Sequence, residues 1–266
     1  MFEKTLENRL FDIEKFDLKL DTDTIGRHFI YAQEVSSTNT ELLNNKKDYN
    51  ANGTIIFAET QTMGKGRMKR EWYSKKNMNL TFSILVTDPR YLKKKVNMLN
   101  YAASLAVALS IENLFQLHTE LKWPNDVLID GKKVAGILIE STSVGSKIDR
   151  LVLGIGINVN QSFFQGKFML EPTSIKIELG HGVERERVLA EVLNHLEELF
   201  GNVISSPKII LDEWRERCGM IGKHITVMND DISKRGIFED IDENGFLILR
   251  TTDKTETLHF GDVSIR

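Results

Sequence analysis

The sequence predicts an α+β fold, a sheet with flanking helices, followed by a small all-β barrel. Three observations carry that prediction. Short β-branched apolar runs dominate the first part of the chain. Helical spacing of apolar residues appears in the middle and again near residue 190. From about residue 222 only short strands and turn dipeptides remain.

The elements follow in order. After a short helical N-terminal segment, residues 28–35 alternate like a strand, 54–59 form a β-branched run, and 80–86 form another. Within 96–115, Met98, Ala102, Leu105 and Leu109 recur at spacings of four, three and four, the stripe of an amphipathic helix covering the sheet. Residues 126–129 and 133–140 flank Asp130-Gly131, a dipeptide that tolerates the positive φ of a tight hairpin. A strand at 151–159 precedes helices at 184–200 and 207–217, the second admitted by proline in its first turn. Strands at 225–228, 235–240, 246–250 and 256–260, with Asn244-Gly245 as a further hairpin turn, make a barrel of roughly 45 residues. The expected division is 1–27 as a short N-terminal segment, 28–218 as the main domain and 219–266 as the barrel.

With 266 residues, 35 Lys+Arg against 38 Asp+Glu, and 41% hydrophobic residues, the chain has length for about two domains and a sizeable core. A formal charge of −3 excludes a wholly basic nucleic-acid coat and an acidic disordered tail, so any cationic site is local. Cys218 is the sole cysteine, which leaves no disulfide framework and no thiolate zinc site and fits a reducing compartment, the cytoplasm. Glu3, Lys4, Glu7, Arg9, Asp12 and Glu14 interrupt the first 20 residues, and no stretch approaches about 18 apolar residues, so neither a signal peptide nor a membrane span is expected.

The densest cationic segment is 61–76, where Lys65, Arg67, Lys69, Arg70, Lys75 and Lys76 stand against one carboxylate, Glu71. Gly64 and Gly66 let its backbone approach a ligand while the cations reach an anion such as phosphate; a solvated charged loop has the same composition. It lacks the spacing of a Walker loop. Lys122-Trp123-Pro124-Asn125-Asp126 puts a cation, an aromatic and a carboxylate at the mouth of a hairpin, where Asp126 could hold Mg²⁺ through oxygen or simply mark a turn. Lys133 before Val134-Ala135-Gly136-Ile137 reads as a lysine beside close backbone approach, or as an edge-strand lysine. Gly154-Ile155-Gly156-Ile157-Asn158 gives space for a ligand or a bulge. Thr38 with Glu41 satisfies a capping box, while Ser37-Thr38-Asn39 together supply the donors and acceptors that read a urea or amide.

Taken in this order, those motifs, with Gln61 and Trp72, closely resemble biotin protein ligase from about residue 28 to 266. The resemblance implies a class II aminoacyl-tRNA synthetase-like mixed sheet with an SH3-like C-terminal barrel. It also implies a two-step reaction: biotin and ATP give biotinyl-5′-AMP and pyrophosphate, and a lysine of a biotin carboxyl carrier domain takes the biotinyl group. ATP, Mg²⁺ and biotin are then the co-substrate, metal and substrate, with no tightly bound prosthetic group. By the family match, Lys133, Arg67 and Asp126 are catalytic, with Asp126 the base or metal-linked carboxylate. Ser37, Thr38, Asn39, Gln61, Lys65, Gly66, Arg67, Trp72, Lys133 and Gly136 bind biotin; Arg67, Arg70, Lys122, Asn125, Asp126 and Asn158 bind ATP. Lys65 departs from the family's usual arginine, keeping the charge and losing the planar fork.

Longer members of the family carry an N-terminal winged helix and act as repressors. Only 27 residues precede residue 28 here, fewer than three helices of about 11 residues need, so no specific DNA binding is expected. A lipoate ligase, sharing fold and acyl-adenylate chemistry, and a biotin-binding module without activity are the other readings; a homodimer is compatible with all of them.

Overall fold

The computed structural model describes residues 9–92, 96–229, 232–259 and 261–265. Helix α1 (Ile13–Asp17) is capped by Asp12, whose side chain accepts from the Lys15 amide. Strand β1 (Phe29–Ala32), helix α2 (Thr38–Asn44), strands β2 (Ile55–Ala58) and β3 (Leu80–Val86), the short α3 (Pro89–Leu92) and the long α4 (Val96–Phe115) follow. Four strands come next: β4 (Glu120–Lys122), β5 (Asp126–Ile129), β6 (Lys132–Val144) and β7 (Lys147–Ile157). Helices α5 (Ile175–Leu179), α6 (Arg185–Ser205) and α7 (Pro207–Arg217) lead into β8 (His224–Asn229), β9 (Ile232–Ile241), β10 (Leu247–Arg250), β11 (Thr255–Leu258) and β12 (Asp262–Ile265).

The first seven strands form one mixed sheet ordered β1-β2-β3-β7-β6-β5-β4, parallel between β1 and β2 and antiparallel elsewhere. Asp130 and Gly131 both have positive φ, 48° and 72°, as the β5–β6 hairpin requires. Side-chain alternation then sorts the two faces. Leu151, Leu153, Ile155 and Ile157 of β7 enter the main core with α4 and α6, whereas Val152 packs under α2 with Leu42, Ile56 and Leu85. The glycines at 154 and 156 share the α2 face with Val152, and that face carries the cleft.

Helix α4 differs from the amphipathic helix expected. It is buried on nearly every side, because α6 and α7 cover the face that the sheet does not, and Ala102, Ala103, Ala106 and Ala108 allow close approach. By length and composition it could cross a membrane, contrary to the expectation of no such stretch, but most of it is buried within the protein.

The C-terminal strands form an antiparallel sheet, β11-β10-β9-β8-β12, with β11 and β12 at opposite edges. The barrel expected from strand spacing therefore does not close among the described residues. The apolar face of this sheet instead joins the main core: Ile225, Val227, Phe238, Leu247, Leu249 and Val263 belong to the same buried cluster as α4 and α7. The Asn244-Gly245 turn is seated against the main domain, with Tyr101 Oη donating to the Gly245 carbonyl at 2.5 Å. Strand β12 was not foreseen, and residue 260, the end of the strand expected at 256–260, lies outside the described residues, as do residues 1–8.

A buried ion pair ties the N-terminal segment to this body. Glu59 accepts from Arg185 at 2.5 and 3.0 Å, from the Phe11 amide at 3.2 Å and from Tyr31 Oη at 3.0 Å.

Candidate active site

A cleft of about 860 Å³ opens on the α2 face, within the range of ligand pockets. Its floor is three strands in register: Gly136 opposite Gly156 opposite Thr81, and Leu138 opposite Gly154 opposite Ser83. The two β7 glycines leave the backbone bare for close approach. A Cβ on Gly154 would lie 2.4 Å from Asn39 Oδ1, and one on Gly156 would lie 2.3 Å from the Trp72 indole. No register shift interrupts β7 at these positions, so they are not a bulge.

One end of the cleft is neutral and rich in hydrogen-bonding groups. Ser37, not Thr38, is the N-cap of α2 and makes no side-chain cap bond, so the capping box expected at Thr38 does not form. Thr38 Oγ1 instead donates to Gln61 Oε1 at 3.0 Å, which also accepts from the Thr38 amide at 2.7 Å. Ser83 Oγ lies 2.6 Å from both Thr38 Oγ1 and Asn39 Oδ1. Asn39 Nδ2 donates to Glu140 at 2.8 Å, and Ser37, Thr38, Asn39 and Ser83 are all buried.

The other end is cationic. Lys133 Nζ is 2.6 Å from Asp126 Oδ1 and 5.7 Å from the centre of the Trp72 ring. Lys132, one residue earlier, points instead to Glu178 on α5 at 3.5 Å. Burial lowers the pKa of Lys122, opposed by the nearby carboxylates of Asp126 and Asp262. Asn125 hydrogen bonds to both the amide and the carbonyl of Ile137, which holds the turn containing the cis Trp123-Pro124 bond against β6. The Asn158 carboxamide is used within the fold, donating to the Thr173 carbonyl at 2.9 Å and more weakly to Lys133 O at 3.5 Å.

The cationic segment folds back on itself. The Gly66 amide donates to Arg70 O at 2.7 Å and the Trp72 amide to Gly64 O at 3.0 Å, around a 3-10 turn at Arg67–Lys69. Lys65 Nζ reaches Glu140 at 3.3 Å. Arg67 spans to Asn125 Oδ1 and Gly261 O, each at 3.3 Å, and to Asp262 at 3.6 Å. Burial lowers its pKa, with Asp262 and Asp126 acting in the opposite sense. Arg70 also pairs with Asp262. A carboxylate from β12 thus fastens this loop to the C-terminal sheet.

Every site residue singled out in the sequence lines this one cleft. Ser83, Glu140, Asp262 and the segment 164–172 line or support it as well and were not foreseen. A serine within the apolar run 80–86 was a readable signal for Ser83; Asp262 had none, since its strand was not anticipated. As for a metal, the described residues contain no cluster of three or more His, Cys, Asp or Glu suited to one, and Asp126 is already paired with Lys133. One carboxylate does not by itself make a magnesium site.

Residues 31–158 match the biotin/lipoate A/B protein ligase family, and residues 220–266 match the biotin protein ligase C terminal domain. The chain is 31% identical over 259 residues to the bifunctional ligase/repressor BirA of Bacillus subtilis, covering 94% of this chain and 77% of that protein. It is 32% identical over 222 residues to the biotin--[acetyl-CoA-carboxylase] ligase of Paracoccus denitrificans, covering 80% of this chain and 90% of that enzyme. The structure of biotin protein ligase from Aquifex aeolicus in complex with biotin and ATP superposes with a TM-score of 0.79 at 27% identity, over 90% of this chain and 99% of that one.

Proposed function

This chain belongs to the biotin protein ligase family, and from that membership and the chemistry of its cleft we infer an ATP-dependent ligase that makes biotinyl-5′-AMP and passes the biotinyl group to one lysine of a biotin carboxyl carrier domain. The biotin carboxylate attacks the α-phosphate of ATP and pyrophosphate leaves; the carrier's ε-amine then attacks the acyl carbon and AMP leaves. The observation that carries the reading is the division of one cleft into two chemistries. A neutral array of Thr38, Asn39, Gln61 and Ser83 suits a urea, while Lys133, Lys122, Arg67 and Arg70 suit phosphates.

The first step brings an anionic nucleophile to an anionic phosphate. Lys133, steered by Asp126 and the Trp72 face, is positioned to offset that repulsion and to stabilise charge that builds on the transferring phosphate. Asp126 acts in this reading as the carboxylate that orients Lys133. Lys122 and Arg67 are cations that burial has made less comfortable, and an incoming phosphate group relieves that cost. Magnesium, if bound with the nucleotide, would supply charge neutralisation for the departing pyrophosphate. The mixed anhydride is open to hydrolysis, and the loop at 64–72, fastened at Glu140 and Asp262, keeps water from it. We take the main domain as 28–218 and the C-terminal one as 219–266, which contributes Asp262 to the loop; a cytoplasmic location suits a reaction that consumes ATP.

Biotin-dependent exchange between pyrophosphate and ATP tests the reading. Exchange with biotin and not with lipoate is expected; exchange that requires lipoate, or none with either acid, refutes it.

A further inference from the structure

Glu140 lies outside the set of residues that the family resemblance implies, yet its carboxylate is tied to two of them. One oxygen accepts from Asn39 Nδ2 at 2.8 Å, and the other is 3.3 Å from Lys65 Nζ. It stands on β6 in the row Gly136, Leu138, Glu140, which alternation turns toward the cleft.

An ionised carboxylate can only accept hydrogen bonds, so it fixes which end of the Asn39 amide faces it. With Nδ2 turned to Glu140, Oδ1 lies over the bare backbone of Gly154 and 2.6 Å from Ser83 Oγ. Ser83 has one hydroxyl proton and two acceptors at 2.6 Å, Thr38 Oγ1 and Asn39 Oδ1. One acceptor is therefore left for another donor, and a urea N–H supplies it. The second tie concerns the loop. Lys65 is on one side of the folded-back segment 64–72, whose tip is held by Asp262 through Arg67 and Arg70. Glu140 is the matching carboxylate on the main sheet.

We propose that Glu140 is a positioning residue that couples recognition of the urea to closure of the loop: it holds Asn39 with its oxygen toward the ligand and receives the Lys65 ammonium as the loop closes. This rests on the biotin reading above.

The test uses the full chain, with biotin affinity measured by calorimetry and release of preformed biotinyl-5′-AMP measured separately. A wild-type protein that binds no biotin refutes the functional reading itself, which keeps that failure distinct from failure at Glu140. Glu140→Gln can turn a donor toward Asn39, and it is expected to weaken biotin about 10-fold and to release the adenylate about 5- to 10-fold faster, the effect of losing a charge-assisted hydrogen bond. Lys65→Met removes the loop tie and leaves the Glu140–Asn39 hydrogen bond in place, so release accelerates with a smaller loss of biotin affinity. The exchanged pair Lys65→Glu with Glu140→Lys restores the ion pair but offers Asn39 a donor instead of an acceptor. Adenylate release then returns to within about threefold of wild type while biotin binding stays weak, a split that a merely structural glutamate does not produce. Unchanged biotin affinity and unchanged release in Glu140→Gln overturn the proposal, as does an exchanged pair that leaves release as fast as in the single variants. Should Glu140→Gln melt far below wild type, Lys65→Met carries the loop half, and wild-type release from it overturns that half.

Discussion

Gly156→Ala adds one methyl group to the floor of the cleft, and its effect is calculable. The new Cβ would lie 2.3 Å from Trp72 Cε2, 2.4 Å from Cζ2 and 2.7 Å from Nε1, well inside the separation of about 3.5–4.0 Å at which carbon atoms rest. The backbone raises no objection, since Gly156 sits in regular antiparallel pairing between Thr81 and Gly136 without a positive φ. Alanine in a strand interior is favoured over glycine by roughly 0.5–1 kcal/mol, so the protein as a whole is not destabilised. The strain falls on the indole. Overpacking costs about 1–3 kcal/mol, equivalent to about a 5- to 150-fold shift away from the closed pose of the loop. Of the three tryptophans, Trp123 and Trp214 are at most 2% exposed within the core, so a change in emission reports Trp72, with Trp72→Phe as the control. Red-shifted emission, a biotin dissociation constant raised within that range and an undiminished melting temperature are expected. Gly136→Ala is the milder partner, because its Cβ would meet Lys133 at 3.1 Å and Trp72 at 3.3 Å. Emission and affinity unchanged in Gly156→Ala, or a larger loss in Gly136→Ala, refute the reasoning.

Three further outcomes follow from the same geometry. Lys133→Ala removes a charge-assisted contact worth about 1.5–3 kcal/mol and should slow biotin-dependent pyrophosphate exchange roughly 10- to 100-fold, whereas Lys132→Ala, which loses a partly buried pair to Glu178 outside the cleft, should leave exchange nearly unchanged; equal losses contradict the face assignment. Arg67→Gly removes the loop's ties to Asn125 and Gly261 and leaves Arg70 alone on Asp262, so free biotinyl-5′-AMP should escape and label bystander lysines on a protein such as albumin; labelling confined to the carrier at the wild-type rate counts against a guarding role. Burial and Glu59 push the Tyr31 hydroxyl up to about 12 from 10.0 in the folded protein. The unfolded chain thus loses this proton first, and stability present below pH 10 falls as pH rises toward 12. Tyr31→Phe should flatten that decline in melting temperature, and an unaltered decline excludes Tyr31 as its source.

Six of the seven sheet strands and the hairpin at Asp130-Gly131 were legible because each is a local pattern, alternation or a turn dipeptide, that tertiary contacts did not override; β4, three residues long, was not anticipated. Helix α4 was legible as a helix but not as a buried one: spacing reveals the stripe facing the sheet, and only the packing of α6 shows that the alanine-rich side is covered too. Strand β12 lies beyond the last strand expected, 256–260, and with it went the prospect of finding Asp262. The open C-terminal sheet has the same cause as its misreading, since strand spacing is identical whether a sheet closes on itself or packs on a neighbour. Within the site, the motif residues announced themselves by charge and by glycine. Glu140 did not, because a carboxylate near the end of an apolar strand looks like solvent exposure until Asn39 and Lys65 are seen to meet it. The capping box at Thr38 shows the opposite error, a local signal that was present and not used, since Gln61 claims the threonine hydroxyl.

The central claim is transfer of biotin to a carrier lysine, and intact mass spectrometry of a biotin carboxyl carrier domain incubated with the protein, biotin and MgATP measures it directly. The account predicts the mass gain of a single biotinyl group, on one lysine, dependent on both biotin and ATP. An unchanged carrier mass, or biotin spread over many lysines by the wild-type protein, contradicts it.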